Sequence, residues 1–468
     1  MTRCFNPGLT IRPIVTLVLL VLNLFVVAPG HSLAATYYID QDHSQASDSN
    51  SGTEASPWLT ISKAASTMVA GDTAIIKGSA RAYNVGQSTN YEVPAVNPKN
   101  SGTAGNPITF RGQAQGANSV VIVTANTGFS GGNQNAAIGA NSRSYITWDN
   151  ITVRMLGVQM KGIAIFYSDH ITVSNCTVEG QDITNEPVLP HNHDNHDGIR
   201  IEGSNAILVT DSVIKDVIVK PDWDNSTGIK MYAVTNVTIE QNLIFNNSAG
   251  IFDKDSGSSG TVIRRNLVHD NMWNLFTLQK PWQSPQVYEN IFVNGNYVAY
   301  DTDAYSGSEQ FYNNVIYFSQ AHSDAAFVPR GGASPTTNLQ FWNNIIYDGG
   351  RQIAHRCSPA CVQINYHNYN GYYPKLDITV NEYGSNPKSY TTISAWRSAG
   401  WDLNGWMQDP KFVDPGKLDF HLLSDSPARG SGRNGEDIGA YPRADATVIG
   451  PRTLNTGPPA PPTGLVVR

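Results

Sequence analysis

The densest concentration of chemistry-bearing side chains lies between residues 191 and 232. His191-Asn192-His193-Asp194-Asn195-His196-Asp197 is followed by Arg200 and Glu202, and Lys220, Asp222, Trp223, Asp224 and Asn225 are followed by Lys230 and Tyr232. Nowhere else are carboxylates and imidazoles packed so closely. Strand-like alternation from Gly198 and from Gly228 puts Ile199, Ile201, Ile229 and Met231 on one side, and Arg200, Glu202, Lys230 and Tyr232 on the other. A third stretch, Gly250 to Lys254, adds Phe252 and Lys254 to the second group. In neighbouring strands Arg200 and Lys230 are ~5 Å apart at their bases and repel, unless an acidic group, a metal or an anionic ligand lies between them. Asp194, Asp197 and Asp224 can fill that gap, as a neutralising ladder or as ligands for Ca2+, whose preference for hard oxygen suits Asp-rich loops. His193 and His196 lack a matching His or Cys pair nearby, which argues against zinc. With Trp223, Tyr232 and Lys254 they are the candidate substrate contacts.

The elements that position these groups come from a repeat. A block of alternating residues, then Asn or Asp, then a β-branched or aromatic run recurs at Asn150, Asn175, Asp211, Asn242, Asn266, Asn290, Asn314 and Asn344. The spacings are 25, 36, 31, 24, 24, 24 and 30, a basic period of 24 with insertions. Short strands at that period, punctuated by Asn and Gly, predict an all-β solenoid whose coils pair in parallel, with Asn stacked at one corner where an αL bend suits it. A second landmark opens the next strand at Gly198-Ile199, Gly228-Ile229, Gly250-Ile251 and Asn274-Leu275. It follows the corner residue by 23, 17, 8 and 8 positions, so two adjacent coils are enlarged at one corner by 15 and 9 residues. Those insertions hold the charged cluster, and insertions on one face of a solenoid usually mark its binding face.

Composition agrees. Of 468 residues only 15% are charged, which excludes coiled coils, while 21 Tyr, 15 Phe and 9 Trp supply a large core and exclude disorder. A net charge of −7 carries no nucleic-acid footprint. Arg3 and Arg12, the apolar run Ile14 to Val27, and Ser32 and Ala34 before a cut ahead of Ala35 predict a signal peptide over 1–34, hence a secreted product free of the membrane. Cys176 reads as a small buried residue, and Cys357 and Cys361 could close a small loop. Residues 35–78 are expected to form an N-terminal cap and the first coil. Ser56 is its helix N-cap, Pro57 the first helical position, and Trp58, Ile61, Ala65 and Met68 the buried face up to Gly71. The solenoid is expected over 79–445, and 446–468 is a Pro-rich tail.

The coil resembles the right-handed parallel β-helix of pectate lyases and related secreted polysaccharide-processing proteins, and it is this resemblance that supplies the handedness. The capping helix and the closing stretches DPKFVDPGKLDFHL and DIGAYPR are similar to the ends of the same group. The resemblance implies a monomer acting on an acidic polysaccharide by β-elimination. Lys230 is then the base, Arg200 helps neutralise the uronate, and Ca2+ is held by Asp194, Asp197 and Asp224. Two alternatives stand beside it. One is a glycoside hydrolase drawing a carboxylate pair from Asp194, Asp197, Asp224, Glu202, Asp253 and Asp255, although the Gly-His-Gly of polygalacturonases is absent. The other is a non-catalytic binding protein using Trp223, Tyr232, Trp273, Trp282 and Tyr305 as a stacking platform.

Overall fold

The computed structural model describes residues 34–86, 88, 90, 92–125, 135–156, 160–182, 195–219, 226–254, 257–278, 284–295, 297–301, 309–319, 322, 324–331, 339–357, 366–383, 386–443 and 449–452. The chain divides into Met1–Leu33 and Ala34–Arg468; the first unit, with most of the expected signal segment, lies outside the described residues, as do Cys361 and most of the tail. Among the described residues no helix is long and apolar enough to cross a membrane.

Three long sheets wrap one core. The first has 12 strands, from Thr36–Ile39 to Tyr366–Asn368; the second has 11, from Tyr83–Asn84 to Gly371–Pro374; the third has 12, from Asn135–Asn141 to Lys388–Tyr390. All pair in parallel except the last pair of the third sheet, Ile378–Val380 with Lys388–Tyr390. Register is held coil after coil. In the first sheet Phe110, Trp148, Val173, Val209, Ile239, Ile263, Val287, Phe311, Phe341 and His367 are successive partners in one inward row. The apolar members of that row all belong to a single buried cluster. Cys176 joins the same cluster and is fully buried, its thiol pushed up to about 12 by desolvation.

At one corner the buried backbone is satisfied by side chains. Oδ1 of Asn266 accepts from both N and Nδ2 of Asn242 (3.0 Å each), and Nδ2 of Asn266 donates to Ile239 O (2.9 Å). The same exchange runs through Asn290, Asn314, Asn344 and Asn370, every one fully buried. The ladder ends on Asp402, whose Oδ1 accepts from N and Nδ2 of Asn370, while Tyr372 Oη and Trp396 Nε1 donate to its Oδ2 and His367 Nδ1 lies 2.8 Å from it.

The bend and the ladder, which the repeat assigns to one residue, occupy two. The left-handed residues are Asn150, Asn175, Asp211, Gln241, Arg265, Glu289, Asn313 and Asn343. The ladder residue is the next one along: Cys176 N donates to Ser212 Oγ, and Ser212 N to Asn242 Oδ1. Asn150, Asn175 and Asp211 therefore belong to the bend, one position before the ladder. Asn suits both positions, so composition alone aligns them together.

Both ends of the solenoid differ from expectation. Strand Thr36–Ile39 already pairs with Thr73–Lys77, so GDTAIIKG supplies the second strand of its sheet. The helix α1 (Ile61–Thr67) starts four residues later than expected, with Thr60 Oγ1 accepting from Lys63 N (3.1 Å), because Ser56 turns back onto Thr53 and Trp58 bridges Ile39. Trp58, Ile61, Ala65 and Met68 are buried as the spacing requires. Among the described residues after 383 no further parallel strand is added. Phe412–Asp414 and Asp419–Leu422 form an antiparallel ribbon, and Phe412, Phe420, Ala428, Ile438 and Ala440 pack on Leu267, Ile291, Val293, Val315 and Ile345. Those last five are residues of the second sheet that lie outside the main core, and an apolar outer face of that size needs a cover.

Replacing Asn266 by Ala strands the buried Asn242 amide groups and is expected to cost about 1–3 kcal/mol, with the upper end favoured because several partners are lost at once. Chemical denaturation measures it; an unshifted midpoint would contradict the ladder.

Candidate functional site

Four consecutive strands of the third sheet carry the site: β1 (Met160–Phe166), β2 (Asp197–Glu202), β3 (Thr227–Tyr232) and β4 (Ala249–Lys254). Ile163, Ile199, Ile229 and Ile251 are register partners and point into the core. In the intervening row, Ala164, Arg200, Lys230 and Phe252 are partners and lie outside the core cluster. Arg200 and Lys230 thus stand side by side, as the alternation predicts.

The acidic group between them is Asp197. Its Oδ1 is 2.8 Å from Lys230 Nζ, and its Oδ2 accepts from Arg200 Nη1 (3.2 Å). Glu202 Oε2 accepts from Arg200 Nη2 (3.0 Å) and Nε (3.1 Å). Asn195 Oδ1 accepts from both cations, at 2.9 Å from Arg200 Nη1 and 3.3 Å from Lys230 Nζ. The Arg200 guanidinium lies 4.6 Å from the Tyr232 ring centre, and Lys230 Nζ is 5.9 Å from that of Phe252. A third cation, Lys161 of β1, is the register partner of Asp197 and is also buried.

Facing away from the core does not mean facing solvent here. Arg200 and Lys230 point away from the core, yet the Lys230 and Asp197 side chains are 0% exposed and Arg200 is 5% exposed; Glu202, at 25%, and Tyr232 are the part-exposed members. Burial pushes the Lys230 ammonium down to about 8; Asp197 opposes this shift and Arg200 adds to it. Lys161 falls well below the ordinary lysine value, through burial first and Arg200 second. Lys230 is therefore a desolvated amine, not a solvated surface lysine.

The other candidates are placed differently. His196 is buried, and its Nδ1 accepts from Met160 N across the coil at 3.3 Å, a role in holding β1 to the segment before β2. Lys254 ends β4, half-buried. Asp253 pairs in register with Met231 on the core-facing side, away from the Arg200 row; its Oδ1 accepts from Ser258 Oγ (2.9 Å), and burial pushes its carboxyl up to about 7. His193, Asp194, Trp223, Asp224, Asp255, Trp282 and Tyr305 lie outside the described residues. Among the described residues no group of three His, Cys, Asp or Glu side chains is arranged to hold a metal. Asp197, the described member of the expected Ca2+ set, has both oxygens turned to cations, which fits ion pairing and does not fit a divalent metal at that carboxylate. Lys161 is absent from the sequence analysis, and Asn195, though inside the charged stretch, has no role there. Gly162-Ile163 repeats the landmark seen at Gly198, Gly228 and Gly250, and extending it one coil upstream would have put Lys161 beside Asp197.

A family model described as the right-handed β-helix region matches residues 136–316, the coils that include all four strands. No curated protein sequence matches the chain. Among solved structures, pectate lyase Pel9A is similar over 88% of this chain and 98% of its own, with a TM-score of 0.52 and 13% identity. A rhamnogalacturonan lyase (TM-score 0.38, 15% identity, 66% of this chain and 87% of its own) and PfbA, a surface adhesin of Streptococcus pneumoniae (0.44, 14%, 68% and 83%), are more distant. The stacked parallel sheets, the matched coil region and the likeness to Pel9A identify the fold as a right-handed parallel β-helix of the pectate lyase-like type.

Proposed function

We propose that this chain is a secreted polysaccharide lyase that cleaves an acidic, uronate-containing polymer by β-elimination at the Arg200–Lys230 row. The observation that carries the reading is the desolvated Lys230, beside Arg200 and Asp197 in a row that faces away from the core next to the two enlarged corners. A uronate carboxylate would exchange for Glu202 on the Nε and Nη2 edge of Arg200, the part-exposed side of the row. The guanidinium then stabilises negative charge developing on the carbon next to that carboxylate. Neutral Lys230, whose covered side chain the bound polymer must first uncover, takes the proton from this carbon. The C–O bond one carbon further breaks, its electron pair leaves on the glycosidic oxygen, and a C=C bond remains in the product. Asp197 and Asn195 orient the amine. No step is routed through a metal: the calcium expectation rests on Asp194 and Asp224, outside the described residues, and loss of activity on chelation would be its support. Helix α1 we take as the cap of the solenoid's N-terminal end, and the protein as a monomer.

The hydrolase reading is less favoured because, among the described residues, the outward carboxylates Asp197 and Glu202 are both ion-paired, while Asp253, whose raised pKa would suit a general acid, faces the core side. Reducing ends without ultraviolet-absorbing unsaturated product would favour it, and retention without cleavage would favour a binding protein.

Lysine accepts a proton only when neutral, so kcat/KM on the cleaved polymer is expected to rise with pH through about 8, well below the 10.5 of an ordinary lysine. A profile flat across that range would contradict Lys230 as base. Lys230→Met is expected to lower turnover by about 10²–10⁴-fold. It also strips Asp197 of a buried partner, a loss of about 3–5 kcal/mol when nothing compensates. Adding Asp197→Asn should restore part of the melting temperature and none of the activity. If the double variant regains turnover, the base lies elsewhere.

Asp253 gives a separate pH prediction. Its folded-state pKa of about 7 lies above the ordinary 3.8, so its contribution to stability is fully present below 3.8 and is lost as pH rises through 7. Asp253→Asn, which keeps an acceptor for Ser258, should raise the melting temperature above pH 7 and change it little in acid. Equal shifts at both extremes would show that the carboxyl is not the titrating group.

A further inference from the structure

The part-exposed end of the Arg200–Lys230 row opens onto an aromatic residue that the reading above does not use. Tyr167 directly follows β1 and is 49% exposed. Ser142, Tyr167 and Gly203 occupy one corner in successive coils: their backbone amides donate to Phe166 O, Glu202 O and Tyr232 O. All three have positive φ, as has Ala233 after Tyr232. The left-handed bend therefore belongs to the corner, and the corner is otherwise built from small residues. A tyrosine there is not demanded by the fold.

Its ring is also seated. A Cβ on Gly203 would lie 2.7 Å from Tyr167 Cδ1 and 2.9 Å from Cε1, so glycine at that position leaves room for this edge of the ring against the next coil. The Tyr167 hydroxyl donates to Glu92 Oε1 (3.0 Å). Glu92 and Glu202 both hold its pKa up, the first by that hydrogen bond, while Arg200 acts in the opposite sense. A large exposed ring, fixed by a bond at its tip and given room along one edge, thus stands about three residues, or ~10 Å, along the strand direction from Arg200.

We propose that Tyr167 is the stacking platform for a neutral sugar ring of the polymer whose uronate is bound at Arg200. The inference rests on the lyase reading and narrows its substrate to chains in which uronate is interspersed with neutral sugar. An aromatic face takes the C–H face of a pyranose. Glu92 beside it accepts hydroxyl hydrogens but repels a second carboxylate.

Two polymers test this: polygalacturonate, in which every ring is a uronate, and rhamnogalacturonan backbone, in which galacturonate alternates with neutral rhamnose. The whole protein is expected to bind the alternating polymer more tightly. Tyr167→Ala should weaken that binding about ten-fold, the size of one aromatic contact. Tyr167→Phe should keep most of it, and Glu92→Gln should shift preference toward polygalacturonate. Gly203→Asn, the side chain that best tolerates the left-handed bend but crowds the ring, should match Tyr167→Ala with the tyrosine still present, at a small cost in melting temperature. Wild-type affinity in both Tyr167→Ala and Gly203→Asn, or a wild-type preference for polygalacturonate, would overturn the platform while leaving the lyase reading intact. Binding of neither polymer by the wild-type protein would overturn both.

Discussion

Each coil of this protein must lie on the next in the same register, because the coils share one core and every strand has its hydrogen-bonding partners in the coils on either side. A slip of one residue in any strand would turn its Ile or Val outward and its polar neighbour inward. The inward row from Phe110 to His367 therefore has to be kept through ten strands of unequal spacing. Excess chain is absorbed at corners, and corners bury backbone groups that no ladder of strands reaches. The asparagine column answers that need: each amide takes two donors from the preceding coil and gives its own to a strand carbonyl. It ends on a carboxylate that collects Asn370, Tyr372, Trp396 and His367. Burial raises the pKa of Asp402, yet the pull of His367 and these hydrogen bonds outweigh it and hold the carboxyl low.

With register held this firmly, the outer row of the third sheet can do what an isolated strand could not. Lys161, Arg200 and Lys230 are three cations carried by adjacent coils, and mutual repulsion should push them apart. The fold does not let them move, so compensation comes from Asp197 between them and Glu202 at the open end. Desolvation then makes the ammonium form of Lys230 costly, which is how a lysine acquires a pKa near the working range of a base. Stability and the proposed chemistry draw on the same arrangement, and a change to one partner is felt by all the others.

The last part of the chain shows a second use of the stacked scaffold. Its described residues run back along the outside of the second sheet. Trp406 pairs with Gly371, Gly439 N donates to Asn343 O, Gly450 N to Arg265 O, and Arg452 Nε to Asp211 Oδ1 (2.9 Å). These attachments step from the last coils toward the first, so one segment covers an apolar outer face and ties several coils together.

Much of this was legible in the residues. The period of 24, the alternation within each strand and the two enlarged corners predict stacked parallel strands with Arg200 beside Lys230, since one-dimensional spacing becomes vertical alignment when each coil repeats the last. Three things were not legible. Asn favours both the left-handed bend and the buried ladder, so only the folded chain separates Asn313 from Asn314. Exposure of Lys230 depends on what lies over the row, and alternation reports only which side of a strand a residue occupies. The meeting of Arg452 with Asp211, 241 residues apart, and the seating of Tyr167 over Gly203 arise from how separate segments pack, which no local pattern encodes.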